Sequence, residues 1–212
     1  LYRKEKNKQT LVEKLGLPYR KDVPVAGIVS RLTGQKGFEL VSSVMPALLG
    51  SRELQLTVLG TGESRYEEFF TSLQRRFANQ VCFYRGYSNE LAHLIEGGAD
   101  LFVMPSLYEP CGLNQMYSLA YGTIPVVRRT GGLADTVEPF DRTNDTGTGF
   151  VFEHFTADGL RWALEQTLEA YADRKQWRKL MQRAMAKDYS WTHQMEAYVE
   201  LYRRLSPVRA QA

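Results

Sequence analysis

A carboxylate flanked by proline, Glu109, lies within Pro-Ser-Leu-Tyr-Glu-Pro-Cys-Gly-Leu-Asn-Gln at residues 105–115. An apolar run at 101–104 precedes it, and a helical pattern at 112–121 follows, with Leu113, Met116, Leu119 and Ala120 on one face. The first N–H groups of a helix lack backbone partners and attract anions, and Gly112 lets a ligand approach the backbone closely. A sugar held by Glu109 and a phosphate held by the helix start would lie side by side. On the local pattern alone, Glu109 serves equally well as a cap for the helix dipole.

Cations stand in a second loop, Ser-Arg-Leu-Thr-Gly-Gln-Lys-Gly at 30–37. Arg31 can grip phosphate oxygens through its planar fork and Lys36 adds a compact charge, so the pair can neutralise a diphosphate leaving group without a metal. As ordinary surface charges they would need no ligand. Gly60 and Gly62, in Leu-Gly-Thr-Gly-Glu at 59–63, fall short of a dinucleotide fingerprint because a third spaced glycine is missing. Tyr87 offers a ring that either packs or carries a nucleobase. Thr130, Gly131 and Gly132 follow two arginines and can wrap N–H groups around a phosphate or form a plain tight turn.

These loops need a frame, and the sequence supplies a regular one. Short apolar strands are expected at 25–29, 54–59, 81–84, 101–104, 124–127 and 150–152. Helices are expected at 10–17, 38–49, 67–77, 89–96, 112–121, after Gly132, and at 157–171, 174–186 and 192–205. Strands alternating with helices indicate a parallel sheet covered on both faces, with ligands at the carboxyl ends of its strands. Every unusual loop falls at that edge. Residues 141–149, rich in Asn, Asp, Thr and Gly, read as an exposed connection.

Composition narrows the class. With 212 residues, 43% of them hydrophobic, the chain can bury the core of one α/β domain. A net charge of +3 argues against a dedicated nucleic-acid binder. Cys82 and Cys111 make no disulfide framework, no run is long enough to span a membrane, and His93, His154 and His193 are scattered, so neither membrane nor metal is implied. The reading is a soluble cytoplasmic protein.

Taken together, the stretches at 30–37, Glu-Pro-Cys-Gly-Leu at 109–113 and Arg-Arg-Thr-Gly-Gly-Leu-Ala-Asp-Thr-Val at 128–137 resemble the C-terminal half of bacterial glycogen synthases and starch synthases. Those are retaining glycosyltransferases of the two-domain GT-B architecture, and the resemblance runs from about Lys6 to Leu205. Tyr-Ser-Trp at 189–191 fits the family's closing helix. The resemblance implies that Arg31 and Lys36 hold the diphosphate and that Glu109 contacts the donor glucose near the reacting carbon. The backbone of Cys111, Gly112 and Leu113 would meet glucose hydroxyls, and Asn114 with the helix start would meet phosphate. Many relatives carry Thr at the position of Asn114. Tyr87 would stack on adenine, while Thr130, Gly131, Gly132, Gly60 and Gly62 line the donor site.

The implied reaction moves glucose from ADP-glucose to the non-reducing end of an α-1,4-glucan with retention, releasing ADP and using no cofactor. The acceptor would bind through an N-terminal domain that precedes this chain, which opens on Leu1 within a Lys-rich segment as if cut from something longer. The expected organisation is a linker at 1–9, a donor-binding domain at 10–205 and a frayed tail at 206–212, inactive alone. A stand-alone nucleotide or carbohydrate binding module is the alternative, though it has little need of a carboxylate beside the sugar.

Overall fold

The computed structural model describes residues 2–205. Six parallel strands form one sheet: β1 (Val25–Val29), β2 (Gln55–Gly60), β3 (Val81–Arg85), β4 (Leu101–Met104), β5 (Ile124–Arg128) and β6 (Phe150–Phe152), in the order β3-β2-β1-β4-β5-β6. Strands buried on both faces read as continuous apolar runs, and β1 does so here, while β2 is buried throughout although Gln55 and Thr57 interrupt its apolar run. The register runs Val25 to Gln55 on one side of β1 and Ala26 to Leu101 on the other. Chain order reverses between β1 and β4, where sheets of this kind open a crevice.

The helices are α1 (Tyr2–Lys14), α2 (Phe38–Ser51), α3 (Ser64–Arg76), α4 (Asn89–Gly98), α5 (Asn114–Tyr121), α6 (Gly131–Thr136), α7 (Ala157–Ala172), α8 (Arg174–Met185) and α9 (Trp191–Leu205). Alternate residues of each strand point to opposite faces. Ala26 and Ile28 join the large cluster with α2, α3, α7 and α8, whereas Val25 and Phe102 join Leu11, Val12 and Ile95 of α1 and α4. Gly27 admits α4: a Cβ there would stand 2.6 Å from Ile95 Cγ2.

One expectation about the ends of the domain needs correction. The linker expected at 1–9 is helical from Tyr2 on, continuous with the short helix expected at 10–17. Lys4 and Lys8 carry the stripe that Leu11 and Leu15 continue, and they are 9% and 4% exposed. Lys8 Nζ pairs with Asp100 at 2.8 Å and donates to Val23 O at 2.6 Å and to the Tyr171 hydroxyl at 2.8 Å. Lys4 Nζ donates to Gly97 O at 2.9 Å and to Thr123 Oγ1. Charge is therefore buried where the pattern read as solvated.

The last helix shows the reverse. Met195, Tyr198, Val199 and Tyr202 stand on the helix α9, of which no residue is buried. Smaller shifts concern boundaries: α3 begins at Ser64 rather than 67, and α5 begins at Asn114 rather than 112. The latter follows from Gly112, whose φ of 74° is left-handed and ends any helix on its N-terminal side. The tail expected at 206–212 lies outside the described residues.

Candidate functional site

The crevice between β1 and β4 holds a cavity of about 190 Å³. Its lining includes Arg31 and Lys36 from the loop after β1, and Glu109, Gly112, Leu113 and Asn114 from the loop after β4. Residues 73 positions apart thus meet: Lys36 Nζ lies 2.6 Å from Glu109 Oε2. Ser106 Oγ donates to the same oxygen at 3.1 Å. Both partners hold the carboxylate by one oxygen, and Glu109 is 7% exposed.

Backbone contacts set this geometry. After β1 the chain makes one 3-10 turn, Gly34–Lys36, and enters α2 through Gly37 at φ 76°. A Cβ at Gly37 would lie 2.0 Å from Pro105 O, so only glycine lets the two loops touch there. Leu107 N donates to Gln35 O at 2.9 Å, and Gln35 Nε2 donates to Tyr108 O at 3.1 Å. From β5, Arg128 donates through Nε to Ser106 O at 2.9 Å and also to Leu107 O. Arg128 therefore fixes the strand-to-helix loop from below, a role the sequence did not single out.

Gly60 and Gly62 stand at the rim but act through close approach. A Cβ at Gly60 would sit 2.1 Å from Ser30 O, and one at Gly62 would sit 2.2 Å from Leu32 O. The Gly62 N–H is engaged by Glu67 Oε1 at 3.0 Å, and the Thr61 hydroxyl donates to the same oxygen at 2.6 Å. Thr61 and then Gly62 hold Glu67 below the usual carboxylate range, and Arg85 completes the pair at 2.6 Å. Glu63 accepts from Gly34 N at 2.9 Å, which with Arg65 lowers its own pKa. Glu63 thereby ties the loop after β2 to the loop carrying Arg31 and Lys36, while Glu67 holds Thr61 and Gly62 within its own loop.

Within the Thr130-Gly131-Gly132 turn, the Gly132 N–H is engaged by the protein itself. Gly132 N donates to Glu109 O at 3.1 Å and Pro110 O at 3.2 Å, so the turn clamps the backbone of the Glu109 loop. A Cβ at Gly132 would lie 2.0 Å from Cys111 O. Asn114 Nδ2 donates to Val29 O at 2.9 Å, tying α5 to the end of β1. The Cys111 thiol is free and the residue exposed.

Tyr87 lies apart from this cluster. It follows β3 at the sheet edge, is 79% exposed, and its hydroxyl reaches Asn89 Oδ1 at 3.4 Å. Strands lie about 4.8 Å apart, so the rim from β3 to β1 spans roughly 10 Å and from β3 to β4 roughly 14 Å. A ring, a cationic loop and a carboxylate are thereby spaced along one edge. Among the described residues, no group of three or more His, Cys, Asp or Glu is placed to hold a metal, and no helix is long and apolar enough to cross a membrane.

The sequence also has measurable kin. Residues 8–183 match the family model for glycosyl transferases group 1. The chain is 50% identical over 202 residues to a glycogen synthase of Anaeromyxobacter dehalogenans, covering 95% of this chain and 42% of that protein. A glycogen synthase of Bacillus cereus is 44% identical over 97% of this chain and 43% of its own length. Among solved structures, the catalytic domain of starch synthase IV from Arabidopsis thaliana, bound to ADP and acarbose, superposes with a TM-score of 0.86 at 34% identity, covering 95% of this chain and 42% of that one. The chain spans about two fifths of the length of these relatives, and its Rossmann-like sheet is of the GT-B type. The matched residues include both loops that form the crevice, and the chain belongs to the glycosyl transferases group 1 family.

Proposed function

We propose that this chain is the nucleotide-sugar-binding part of a glycogen or starch synthase that transfers glucose from ADP-glucose to the non-reducing end of an α-1,4-glucan with retention. The observation that carries the reading is the convergence of Arg31, Lys36 and Glu109 on one crevice at the switch point of the sheet. The similarity to glycogen synthases supports the substrate class, and ADP in the starch synthase structure supports the nucleotide.

In this reading the base lies on Tyr87, the diphosphate on Arg31 and Lys36, and the glucose beside Glu109. The acceptor hydroxyl attacks the anomeric carbon from the face that the phosphate leaves. The bond from that carbon to the phosphate oxygen breaks, the new bond to the acceptor oxygen forms, and ADP departs with the acceptor's proton. Arg31 and Lys36 spread the negative charge that grows on the departing phosphate, so no metal is assigned to the step. Glu109 presents its carboxylate to the carbon as positive charge develops there. Much of the acceleration comes from holding donor and acceptor together, which requires the glucan-binding domain as well. This part alone therefore binds donor without appreciable turnover. Its two free thiols fit a cytoplasmic setting.

Calorimetric titration with ADP tests the donor site. The unaltered chain should bind saturably, and Arg31→Ala should weaken binding by roughly ten- to a hundredfold, as expected for losing charge-assisted bonds of about 1.5–3 kcal/mol. Equal affinity in the two would remove Arg31 from the site. Sustained glucan elongation by the purified chain, with no partner added, would overturn the division of labour.

A further inference from the structure

Gln115, the second residue of α5, is fully buried beneath the Glu109 loop. Its Nε2 donates to Cys111 O at 3.1 Å, Gly112 O at 3.0 Å and Thr136 Oγ1 at 3.1 Å, three acceptors sharing two hydrogens. The Thr136 hydroxyl donates in turn to Gly132 O at 2.6 Å. Turning the amide over would set its oxygen against two carbonyl oxygens, so the donor must face the loop. Gln115 Oε1 has no partner, a cost that a merely space-filling apolar residue would avoid.

The consequence lies on the other side of the same peptides. In a trans peptide the C=O and N–H point in opposite directions, and the chain has no cis bond. Two carbonyls drawn inward to one amide therefore turn the N–H groups of Gly112 and Leu113 outward. Consecutive carbonyls converge in this way because Gly112 is left-handed at φ 74° while Leu113 is right-handed at φ −114°, ψ −34°. That alternation gathers successive N–H groups into a concavity for electronegative atoms. Among the described residues, no acceptor meets the N–H of Gly112 or Leu113, and both residues line the cavity with Glu109 and Lys36. A Cβ at Gly112 would stand 2.5 Å from Gln115 Oε1, so glycine and glutamine form one device.

We propose that Gln115 is the positioning residue of the donor site: it holds the Gly112 and Leu113 N–H groups preset toward the sugar and distal phosphate of the nucleotide sugar. The assignment rests on the donor reading above. It predicts a split between ligands that carry those groups and ligands that lack them.

The test is calorimetry on the whole chain with ADP-glucose and with AMP, before and after Gln115→Met, which keeps the volume and removes the donor. ADP-glucose affinity should fall about tenfold, while AMP affinity stays the same. An equal fall for both ligands, or no fall for either, would overturn the proposal by leaving Gln115 a packing residue. Should the variant not fold, amide NMR of the unaltered chain decides: the Gly112 and Leu113 signals should shift on adding ADP-glucose and not on adding AMP, and signals indifferent to both would overturn it. If the unaltered chain binds AMP and ADP-glucose equally tightly, the positioning role fails alone. If it binds neither, the donor reading fails and takes this inference with it.

Discussion

Two lysine–carboxylate pairs in this fold are nearly identical by distance and differ in how far their partners are satisfied. Lys8 meets Asp100 at 2.8 Å under α1, and Lys36 meets Glu109 at 2.6 Å in the crevice. Lys8 also donates to Val23 O and the Tyr171 hydroxyl, and Asp100 accepts from Val25 N at 2.9 Å. Every strong donor and acceptor there is matched within the protein. Lys36 has Glu109 as its one acceptor among the described residues, at the edge of a cavity. What separates the pair that holds the fold from the pair we propose meets a ligand is unused hydrogen-bonding capacity, since an unsatisfied group beside a cavity is stabilised when a ligand completes it.

The largest expected effect sharpens that contrast through the saturated pair. Lys8→Ala leaves Asp100 buried beside an empty site, which should lower unfolding free energy by roughly 3–5 kcal/mol, measured by urea titration. Lys36→Ala should cost less in the same titration, because Lys36 gives up one acceptor where Lys8 gives up several, and Glu109 keeps the Ser106 hydroxyl at the edge of a cavity. It should instead weaken ADP binding by roughly ten- to a hundredfold. A Lys36→Ala chain that unfolds early while binding ADP normally would break the comparison.

The same contrast explains what the sequence could and could not tell. The strands and the rim were legible because apolar runs such as 101–104 alternate with helical spacing, and because glycines and charges gathered at the strand ends. Glu109, Arg31 and Lys36 stood out as residue types that packing does not require, and they do converge. The helix α1 was illegible because lysine counts as polar in any pattern. Its burial depends on acceptors at Val23, Gly97 and Asp100, which are distant in sequence. The helix at 192–205 was legible from its spacing, yet spacing does not say what covers it. Gln115 and Arg128 were missed for a shared reason: both act on backbone carbonyls, and carbonyls leave no mark in a sequence. The Gly132 N–H likewise supports the loop that carries Glu109, a tie to carbonyls that residue types do not reveal.

The smallest expected effect concerns Lys4, the neighbour of the saturated pair. Burial moves its pKa from the ordinary lysine value down to about 7, with Asp100 opposing the shift and Lys8 adding to it. Between about pH 7 and the ordinary lysine pKa the unfolded chain binds the proton that the folded chain releases. Stability must then rise as pH climbs through that window, since the penalty of burying the charged form is fully present below it and is relieved above it. From pH 7 to 8 the gain should be roughly 1 kcal/mol, visible as an upward shift of the thermal midpoint. Lys4→Met removes the titrating group and keeps an unbranched chain along α4, so its midpoint should be flat over the same interval. A slope that survives the substitution would assign the titration to another group, and α1 would be held by a Lys4 that stays charged.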